Sequence, residues 1–454
     1  YKDPKQFETW VYNQPNQLDQ YRMIVLENQL VEKLDNDKID LEINISESEK
    51  LYVEKINISG NYSTLEEVIR NNLIVDEGDP LNEILFNKSI NNLKSLGIFK
   101  KVNTDIKNGS DDSLKIIDIN IEERPSGEIS LTAGFGTSGE IIGGGIKEKN
   151  FLGKGINLDT NIELTPESIK GRFIYAKPNF NNTDNTLFTS LKSSTTDLLT
   201  DSGYKTSELG FSLGTSFEQF QNIFLSPEID FLIEDLETSD KASDVLKKQK
   251  GSYTDVYFNY TINQDLRDKR FRTESGYQTF FSQEIPLISD NSEFSNAFEI
   301  STYKKLSTKS DMVGKVSFFA KTITGLTDDV RISKRLNIPS KKLRGFESGK
   351  IGPKDSGDYI GGNYTAVLNA STTLPEFGAN LETIDFQLFL DAANVWGVDY
   401  DSSIDDSNKM RSSTGIGMDL LTPVGPLSFS LSQPITKMST DKTETFRFNL
   451  GTTF

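Results

Sequence analysis

The chain has 454 residues, with 67 acidic and 49 basic side chains, a formal charge of −18, and neither Cys nor His. Without those two residue types it can form no disulfide, thiolate nucleophile, Ser-His-Asp triad or Cys/His zinc site. The acidic balance argues against nucleic acid as a partner, because binding phosphates needs clustered Lys and Arg. The chain has no run of about 18 consecutive apolar residues, so the sequence predicts no transmembrane helix. Two alternatives remain, a soluble acidic β protein or a membrane β-barrel.

Residues 48–124 alternate between strand and helix patterns. Apolar residues recur at every second position in 51–58, 98–106 and 114–121, and at helical spacing in 65–72 and 81–96. The residues expected to begin the helices are N-cap types: Ser63 or Thr64 for the first, and Asp79 followed by Pro80 for the second. The order β-α-α-β-β predicts a compact α+β module.

Residues 1–47 contain a fragment similar to the end of this module. Ile-Asp-Leu-Glu-Ile-Asn-Ile at 39–45 resembles Ile-Asp-Ile-Asn-Ile-Glu-Glu at 117–123, and each precedes the start of a domain. We therefore expect residues 1–47 to be the end of a preceding copy, too short to be a whole one. The first residues carry no signal-peptide pattern, so a mature or truncated product is expected.

Beyond Pro125 the helical period disappears, and residues 125–454 become alternating segments separated by Gly, Asn, Asp and Ser turns. Sixteen strands are expected, near 128–136, 140–148, 155–164, 168–177, 185–194, 204–216, 220–233, 251–264, 275–285, 294–307, 311–323, 360–374, 382–393, 411–421, 426–433 and 444–454. About 330 residues of consecutive strands exceed the size at which one soluble core stops growing, which favours a membrane barrel. The expected fold class is membrane all-β, a 16-stranded antiparallel transmembrane β-barrel preceded by the α+β module.

The longest segment without a strand pattern lies at 324–359 and contains Leu343-Arg344-Gly345-Phe346. Loops longer than about 15 residues are usually functional or disordered. An Arg-Gly-Phe sequence alone is most often a solvated turn, so its meaning depends on the rest of the chain.

This motif resembles the Arg-Gly-Phe/Tyr motif in the sixth extracellular loop of the BamA-type outer-membrane assembly family. Further short matches follow in order along nearly the whole chain: Lys149–Gly155, Arg267-Asp268 with Thr273–Tyr277, Gly361–Asn363, Leu388–Trp396 and Thr422–Leu427. Residues 51–122 are similar to a POTRA domain, including Gly78-Asp79-Pro80 and Leu96–Phe99. Together, in this order, the matches are specific.

In that family the loop folds back into the barrel lumen, which implies that Arg344, Gly345 and Phe346 are pinned against Asp391. A buried Arg needs a carboxylate partner, because an unpaired buried charge is expensive. The family often has an acidic residue on the preceding strand, but the aligned residue here is Ser371, which puts a second carboxylate contact in doubt.

Strand alternation independently favours a lumenal Asp391. Phe389, Asp391 and Ala393 share one face of their strand, and the other face is apolar, formed by Leu388, Leu390 and Ala392. If the apolar face meets lipid, Asp391 points into the lumen, where a bidentate pair with Arg344 would hold the loop.

The resemblance also implies the function, an outer-membrane insertase that receives unfolded β-barrel proteins in the periplasm through its POTRA modules. The first and last strands, Ile129–Thr137 and Thr445–Phe454, are expected to pair weakly, open laterally and accept a client strand at the exposed edge. The candidate seam residues are Ile129, Leu131, Ala133, Phe135, Phe446, Phe448, Leu450 and Phe454. Expected partners are unfolded clients, accessory outer-membrane lipoproteins, periplasmic chaperones and the lipid bilayer, with no nucleic acid and no cofactor.

Other functions are weighed against this one. Within the superfamily, a translocator of the two-partner-secretion or translocation-assembly type is the main alternative, and a passive porin or a soluble acidic binding protein is less favoured. An enzyme is not expected, since Asp385 and Asp391 would lie about 20 Å apart along one strand. A two-carboxylate hydrolase needs less than about 10 Å. The glycines near 134–145 lack the strand-then-helix context of a phosphate loop.

Overall fold

A computed structural model describes residues 23–25, 45–47, 50–136, 139–269, 272–307, 312–375, 384–405, 409–422 and 425–450. The chain divides into two compact units. The first comprises 1–127 together with 149–156, and the second comprises 128–148 together with 157–454. No helix in the described part of the chain is both long and apolar enough to cross a membrane.

The first unit is a small α+β module preceded by one short strand pair. Its elements are β1 (Met23–Val25), β2 (Ile45–Glu47), β3 (Tyr52–Ser59), α1 (Glu66–Arg70), α2 (Glu83–Ser95), β4 (Phe99–Asn108) and β5 (Leu114–Glu123). β1 pairs with β2, while β5 lies between a parallel β3 and an antiparallel β4. The predicted β-α-α-β-β order is confirmed. The assignment of 1–47 to a preceding module falls mostly outside the described residues and stays a prediction.

The apolar core of the module lies between the helices and the sheet. Ile69, Leu93, Ile117 and Ile119 are fully buried there. On β5, Ile117, Ile119 and Ile121 alternate with polar residues, because alternate side chains of a strand point to opposite faces. The period-2 pattern in the sequence therefore identifies the face that packs on the helices.

The helix starts differ from the predicted ones. The N-cap of α2 is Asn82, whose side-chain oxygen accepts hydrogen bonds from the N–H groups of Ile84 and Leu85. Asp79 instead accepts from the backbone N–H of Asp76 in the preceding turn. The prediction that Asp79 begins this helix is wrong, because the segment after it continues extended and forms a bridge between Pro80 and Tyr52.

Neither of the predicted N-cap residues, Ser63 and Thr64, caps the first helix with its side chain. Residue Leu65 occupies the N-cap of α1, without a side-chain hydrogen bond. The N–H groups of Ser63 and Thr64 donate to the carboxylate of Glu123 at the end of β5, at 2.9 and 2.7 Å. The carboxylate of Glu123 therefore fixes the segment just before α1 to the end of β5, and no side chain caps the helix.

The second unit is a closed barrel of sixteen strands, in agreement with the predicted fold class. Its strands are β6 (Gly127–Gly136), β7 (Gly139–Phe151), β8 (Ile156–Leu164), β9 (Ser168–Lys177), β10 (Thr186–Leu198), β11 (Tyr204–Phe220), β12 (Ile223–Thr238), β13 (Gly251–Asp265), β14 (Gly276–Ser289), β15 (Glu293–Lys305), β16 (Val313–Gly325), β19 (Tyr364–Thr373), β20 (Ile384–Trp396), β21 (Arg411–Thr422), β22 (Gly425–Thr436) and β23 (Phe446–Leu450). A small hairpin, β17 (Lys354–Asp355) and β18 (Asp358–Tyr359), and a short helix, α3 (Asp244–Lys247), lie in the connections.

The barrel wall has a polar inner face and an apolar outer face. Asp391 is opposite Asn369 in the pairing of β20 with β19, and both face inward. Leu368, Leu388 and Leu390 on the same two strands are about half exposed on the outer face. This alternation is the pattern of a wall between lipid and a polar lumen.

The predicted strand near 360–374 begins later in the structure, at Tyr364. Gly362 is held in the preceding connection by a bridge to Leu336, with hydrogen bonds of 2.7 and 2.9 Å between their backbones. Gly362 is therefore paired with the loop, while the carbonyl of the next residue, Asn363, still accepts from the N–H of Ile323 in β16 at 2.8 Å.

Candidate functional site: a folded-in loop and the barrel seam

The connection from β16 to β19 carries the Arg-Gly-Phe motif into the barrel. Leu343 and Phe346 of this connection are buried against Val367 and Val395 of the wall strands β19 and β20. Because these wall residues face inward, the connection fills part of the lumen. We call residues 326–363, between β16 and β19, the folded-in loop.

Arg344 meets Asp391 as a bidentate ion pair. Its Nε donates to Oδ2 and its Nη2 to Oδ1, both at 2.7 Å, and the backbone N–H of Arg344 also donates to Oδ2 at 3.1 Å. The carboxylate is fully buried, and the guanidinium lies 3.5 Å above the ring of Phe389. Bidentate geometry with a stacked ring suits Arg and not Lys, because only guanidinium is a planar fork.

Asn369 completes the environment of Asp391. Its side-chain amide donates to Asp391 Oδ1 at 2.8 Å and to the carbonyl of Lys342 in the loop at 2.7 Å. Ser371, the residue aligned with the family's acidic position, pairs instead with Phe389. Sequence reasoning missed Asn369, because its role depends on the register of β19 against β20.

Gly345 and Phe346 connect the loop to the last strand of the barrel. The carbonyl of Phe346 accepts from Arg447 Nη2 of β23 at 2.5 Å, and the Gly345 carbonyl accepts from the N–H of Glu444 at 3.1 Å. Gly345 has φ +88°. A Cβ at this position would lie 3.1 Å from the Cβ of Ser413, so the motif requires glycine for both space and conformation.

A second ionic cluster, not predicted from the sequence, holds the start of the loop. Arg331 is fully buried and donates to Asp255, Glu293 and Glu234 at 2.7, 2.9 and 3.1 Å. Its guanidinium also lies 4.5 Å over the ring of Tyr253. The carboxylates come from β13, β15 and β12, so only the closed barrel brings them together.

Outside the strands, a third Arg ties the loop to the connection after β20. Arg335 forms a close ion pair with Asp399, which also accepts from the Val330 N–H and the Asn363 amide, both at 2.9 Å. Burial alone would raise the pKa of Asp399, but these donors and the guanidinium outweigh it and lower the pKa. The carboxylate is therefore kept ionised for its partners.

The predicted seam joins β6 and β23. Among the described residues, Phe135 is paired with Leu450 and Gly136 with Asn449. Ile129 and Leu131 are 77% and 88% exposed, more than the apolar residues of neighbouring strands, and Ala133 is exposed too. Phe446 and Phe448 both contact Phe429 of β22, and Phe454 lies outside the described residues. How weakly the seam pairs stays a prediction.

Asp385 and Asp391, weighed above as catalytic acids, each bind their own guanidinium. Asp385 accepts two hydrogen bonds from Arg272, at 3.0 and 3.1 Å. Each of these two carboxylates is therefore held in an ion pair with its own Arg.

These features define a class of protein, a sixteen-stranded barrel that follows an α+β module in the chain and holds a charged loop in its lumen. The Omp85 superfamily domain matches residues 150–454, and the POTRA model, described as surface antigen variable number repeat, matches 51–124. The chain belongs to the Omp85 superfamily.

Relatives of known name agree with this membership. The chain is 26% identical to the outer membrane protein assembly factor BamA of Neisseria meningitidis over 92% of its own length, and 24% identical to that of Neorickettsia risticii. It spans 58% and 57% of those two relatives. A putative outer membrane protein assembly factor of Treponema pallidum is 31% identical over 29% of the chain.

Solved structures share the fold. BamA from Haemophilus ducreyi lacking POTRA domains 1–3 matches with a TM-score of 0.77 and 24% identity, covering 90% of this chain and 86% of that one. CdiB from Acinetobacter baumannii matches with a TM-score of 0.57 and 14% identity, covering 89% and 74%.

Proposed function

We propose that this chain belongs to an outer-membrane protein assembly factor, whose barrel inserts unfolded β-barrel clients through the seam between β6 and β23. The observation that carries the proposal is the position of the Arg-Gly-Phe motif. Its Arg is fixed to β20 through Asp391, while its Gly and Phe carbonyls are fixed to the β23 side of the barrel. The loop thus supports the strand that borders the seam.

The proposal places the barrel in the bacterial outer membrane and the POTRA module in the periplasm. Transmembrane barrels carry short periplasmic turns and longer outer loops, and the folded-in loop belongs to the end with the longer connections. The names of the relatives support this location and function. Accessory lipoproteins and periplasmic chaperones are proposed as further partners of the POTRA side.

The physical basis of insertion is the edge that an opened seam would expose. A strand edge offers unpaired N–H and C=O groups, which are costly in lipid and are satisfied by adding another strand. A client strand could pair with that edge without any cofactor, because the new hydrogen bonds and burial of apolar surface supply the free energy.

Locking the seam tests the proposal. The chain has no native Cys, and Phe135 and Leu450 are directly opposed, so the double variant Phe135→Cys/Leu450→Cys can form one disulfide. We expect oxidised protein to lose most insertion of a client barrel into liposomes and to recover it on reduction.

The matched control is Leu213→Cys/Ile229→Cys, an opposed pair on β11 and β12 away from the seam. Oxidation there should leave insertion unchanged. Full insertion by the seam-locked protein would falsify lateral opening, and steady ion conductance without insertion would favour a passive pore.

A further inference from the structure

Three apolar side chains of the first unit are exposed on two segments that pack together. Tyr62, Leu65 and Leu152 are 96%, 47% and 71% exposed. Residues 62–65 precede α1, and Leu152 lies in the turn between β7 and β8. The N–H of Leu65 donates to the carbonyl of Gly153 at 2.8 Å, so residues 62–65 lie directly beside Leu152. Both segments belong to the first unit.

The backbone of the turn keeps Leu152 exposed. Leu152 has φ +56°, in the left-handed region that is uncommon for residues other than Gly. Gly153 has φ +72°, and a Cβ there would lie 2.0 Å from the carbonyl oxygen of Ser63. The close approach of the two segments therefore requires Gly153, and it leaves a large apolar side chain in contact with solvent.

Cationic side chains lie beside these apolar ones. Arg124 Nη2 and Lys149 Nζ would be 3.0 and 3.4 Å from a Cβ at Gly97, so the two cations lie side by side. Neither they nor Lys154 in the turn form an ion pair with a carboxylate among the described residues. The carboxylate of Glu123, adjacent to Arg124 in the chain, accepts from two backbone N–H groups instead. Neighbouring cations without a counter-charge attract an anion.

The turn between β7 and β8 lies at the end of the barrel with the short connections. β7 has 13 residues, which at the usual strand tilt span about 33 Å along the barrel axis, more than the apolar band of about 25 Å. Ile142 and Ile146 of β7 are 59% and 57% exposed and contribute to this band. The residues that follow β7 therefore lie beyond the hydrocarbon, at the level of the lipid headgroups.

We infer that the exposed apolar and cationic side chains bind the periplasmic headgroup layer of the membrane that holds the barrel. This headgroup surface consists of Tyr62, Leu65, Leu152, Arg124, Lys149 and Lys154. Its apolar side chains enter the boundary between headgroups and acyl chains, and its cations bind the phosphates of anionic phospholipids. A free phosphate would use only the cations. The inference rests on the proposed outer-membrane location and does not depend on client insertion.

The test uses a fluorescent probe on the full chain in vesicles, without a client. Because the chain has no native Cys, Tyr62→Cys can carry a single nitrobenzoxadiazole label. We expect lipid that is spin-labelled at its headgroup to quench this probe, and more strongly when phosphatidylglycerol replaces part of the phosphatidylcholine. The control probe is Ser110→Cys, between β4 and β5 at the end of the sheet opposite Gly97 and Arg124, and it should not be quenched.

Further variants separate charge from apolar contact. Arg124→Gln/Lys149→Gln should remove most of the gain from phosphatidylglycerol, because each cation near an anionic surface is worth about fivefold in binding. Leu152→Asn should lower quenching with and without phosphatidylglycerol, since Asn tolerates positive φ but offers no apolar side chain. Lys107→Gln/Lys115→Gln makes the same charge change at the opposite end of the sheet and should have no effect.

Alkaline extraction of the vesicles first shows whether the barrel is integrated, which tests the proposed location separately. In integrated protein, the inference is overturned if the probe at Tyr62 is not quenched, if the probe at Ser110 is quenched equally, or if the two double charge variants behave alike. Inorganic phosphate that removes the gain from phosphatidylglycerol at an ionic strength where chloride does not would overturn it in favour of a site for free phosphate.

Discussion

Asp391 is the residue on which the folded-in loop depends. It is fully buried and accepts two side-chain hydrogen bonds and one backbone hydrogen bond from Arg344, together with the amide of Asn369. A buried carboxylate is tolerated when all its acceptor positions are satisfied and its charge is matched. The loop therefore supplies the positive charge and most of the hydrogen-bond donors that Asp391 requires, and Asp391 in turn fixes the position of the loop.

Arg344→Lys tests the geometry of this pair while keeping its charge. Lys cannot reproduce the planar fork, so the loop should lose about 1–2 kcal/mol of its anchoring. Chymotrypsin cleavage after Phe346 should then be about tenfold faster, as the open population rises. Arg267→Lys, which alters a bidentate pair with Asp265 elsewhere, is the control and should leave this cleavage rate unchanged. Equal rates for Arg344→Lys and wild type would refute the pin.

Glu123 gives the POTRA module a pH dependence of defined sign. Partial burial alone would raise its pKa, but the donors on Thr64 and Ser63 outweigh burial and lower it. A lowered folded-state pKa stabilises the fold above the pKa of unfolded Glu, and this stabilisation is lost as pH falls through the folded-state pKa. Glu123→Gln should cost about 1 kcal/mol, because the N–H groups of Ser63 and Thr64 lose their ionised acceptor, and it should flatten the acid dependence.

The predicted role of Glu123 is checked by hydrogen exchange of the amides in 63–70, measured in the full chain across the acidic pH range. The control is Glu67→Gln, an exposed side chain on α1. The same acid-induced loss of protection in the Glu123 variant and wild type would count against the assigned role.

The sequence could predict the lumenal direction of Asp391 but not its full set of partners. Apolar neighbours on both sides, Leu390 and Ala392, identify its face through strand alternation alone. The role of Asn369 requires the strand register, and the cluster around Arg331 requires carboxylates from three strands that lie 38 to 97 residues before Arg331 in the chain. Local patterns carry no information about such distant pairs.

At the scale of elements, the folded-in loop is held at two unequal anchors. The anchor at Arg331 contains three buried carboxylates, whereas the anchor at Arg344 has one carboxylate beside a cavity. The side chains of the first anchor are almost completely buried, whereas the Arg344 side chain of the second is 18% exposed. We therefore expect the start of the loop to stay fixed when its tip is released.

Arg331→Met should destabilise the barrel by about 3–5 kcal/mol, because it leaves Asp255, Glu234 and Glu293 without their guanidinium. Arg344→Met should cost less, since its side chain is partly exposed. The stabilities of the two variants are compared by the temperature at which each barrel loses the mobility of its folded form in SDS gels. An order reversed from this one would show that the tip, and not the start, is the principal anchor.

Strand number was predictable because alternation is a strong local signal, and strand ends were not. β10 extends to Leu198 rather than 194, and β19 begins at Tyr364 because the loop pairs with the chain before it. Pairing partners from distant segments decide where a strand ends, and the hydrophobic pattern does not encode them.

At the scale of the whole molecule, the two units obtain their stability from different sources. The module depends on an apolar core of Ile and Leu side chains between its sheet and helices. The barrel turns its apolar side chains outward and fills its lumen with ion pairs and the folded-in loop. Each core is built from the unit's own side chains, so substitutions in one core should act on that unit alone.

Leu93→Ala tests this independence. Leu93 is fully buried in the module core, so its truncation should cost about 2–5 kcal/mol through lost burial and a residual cavity. Hydrogen exchange of β5 amides should rise accordingly, while the barrel's gel-mobility transition in SDS stays at the wild-type temperature. Phe346→Ala is the reciprocal variant and should shift the barrel transition without altering exchange in β5. A shift of both readouts by either variant would mean that the units unfold as one cooperative body.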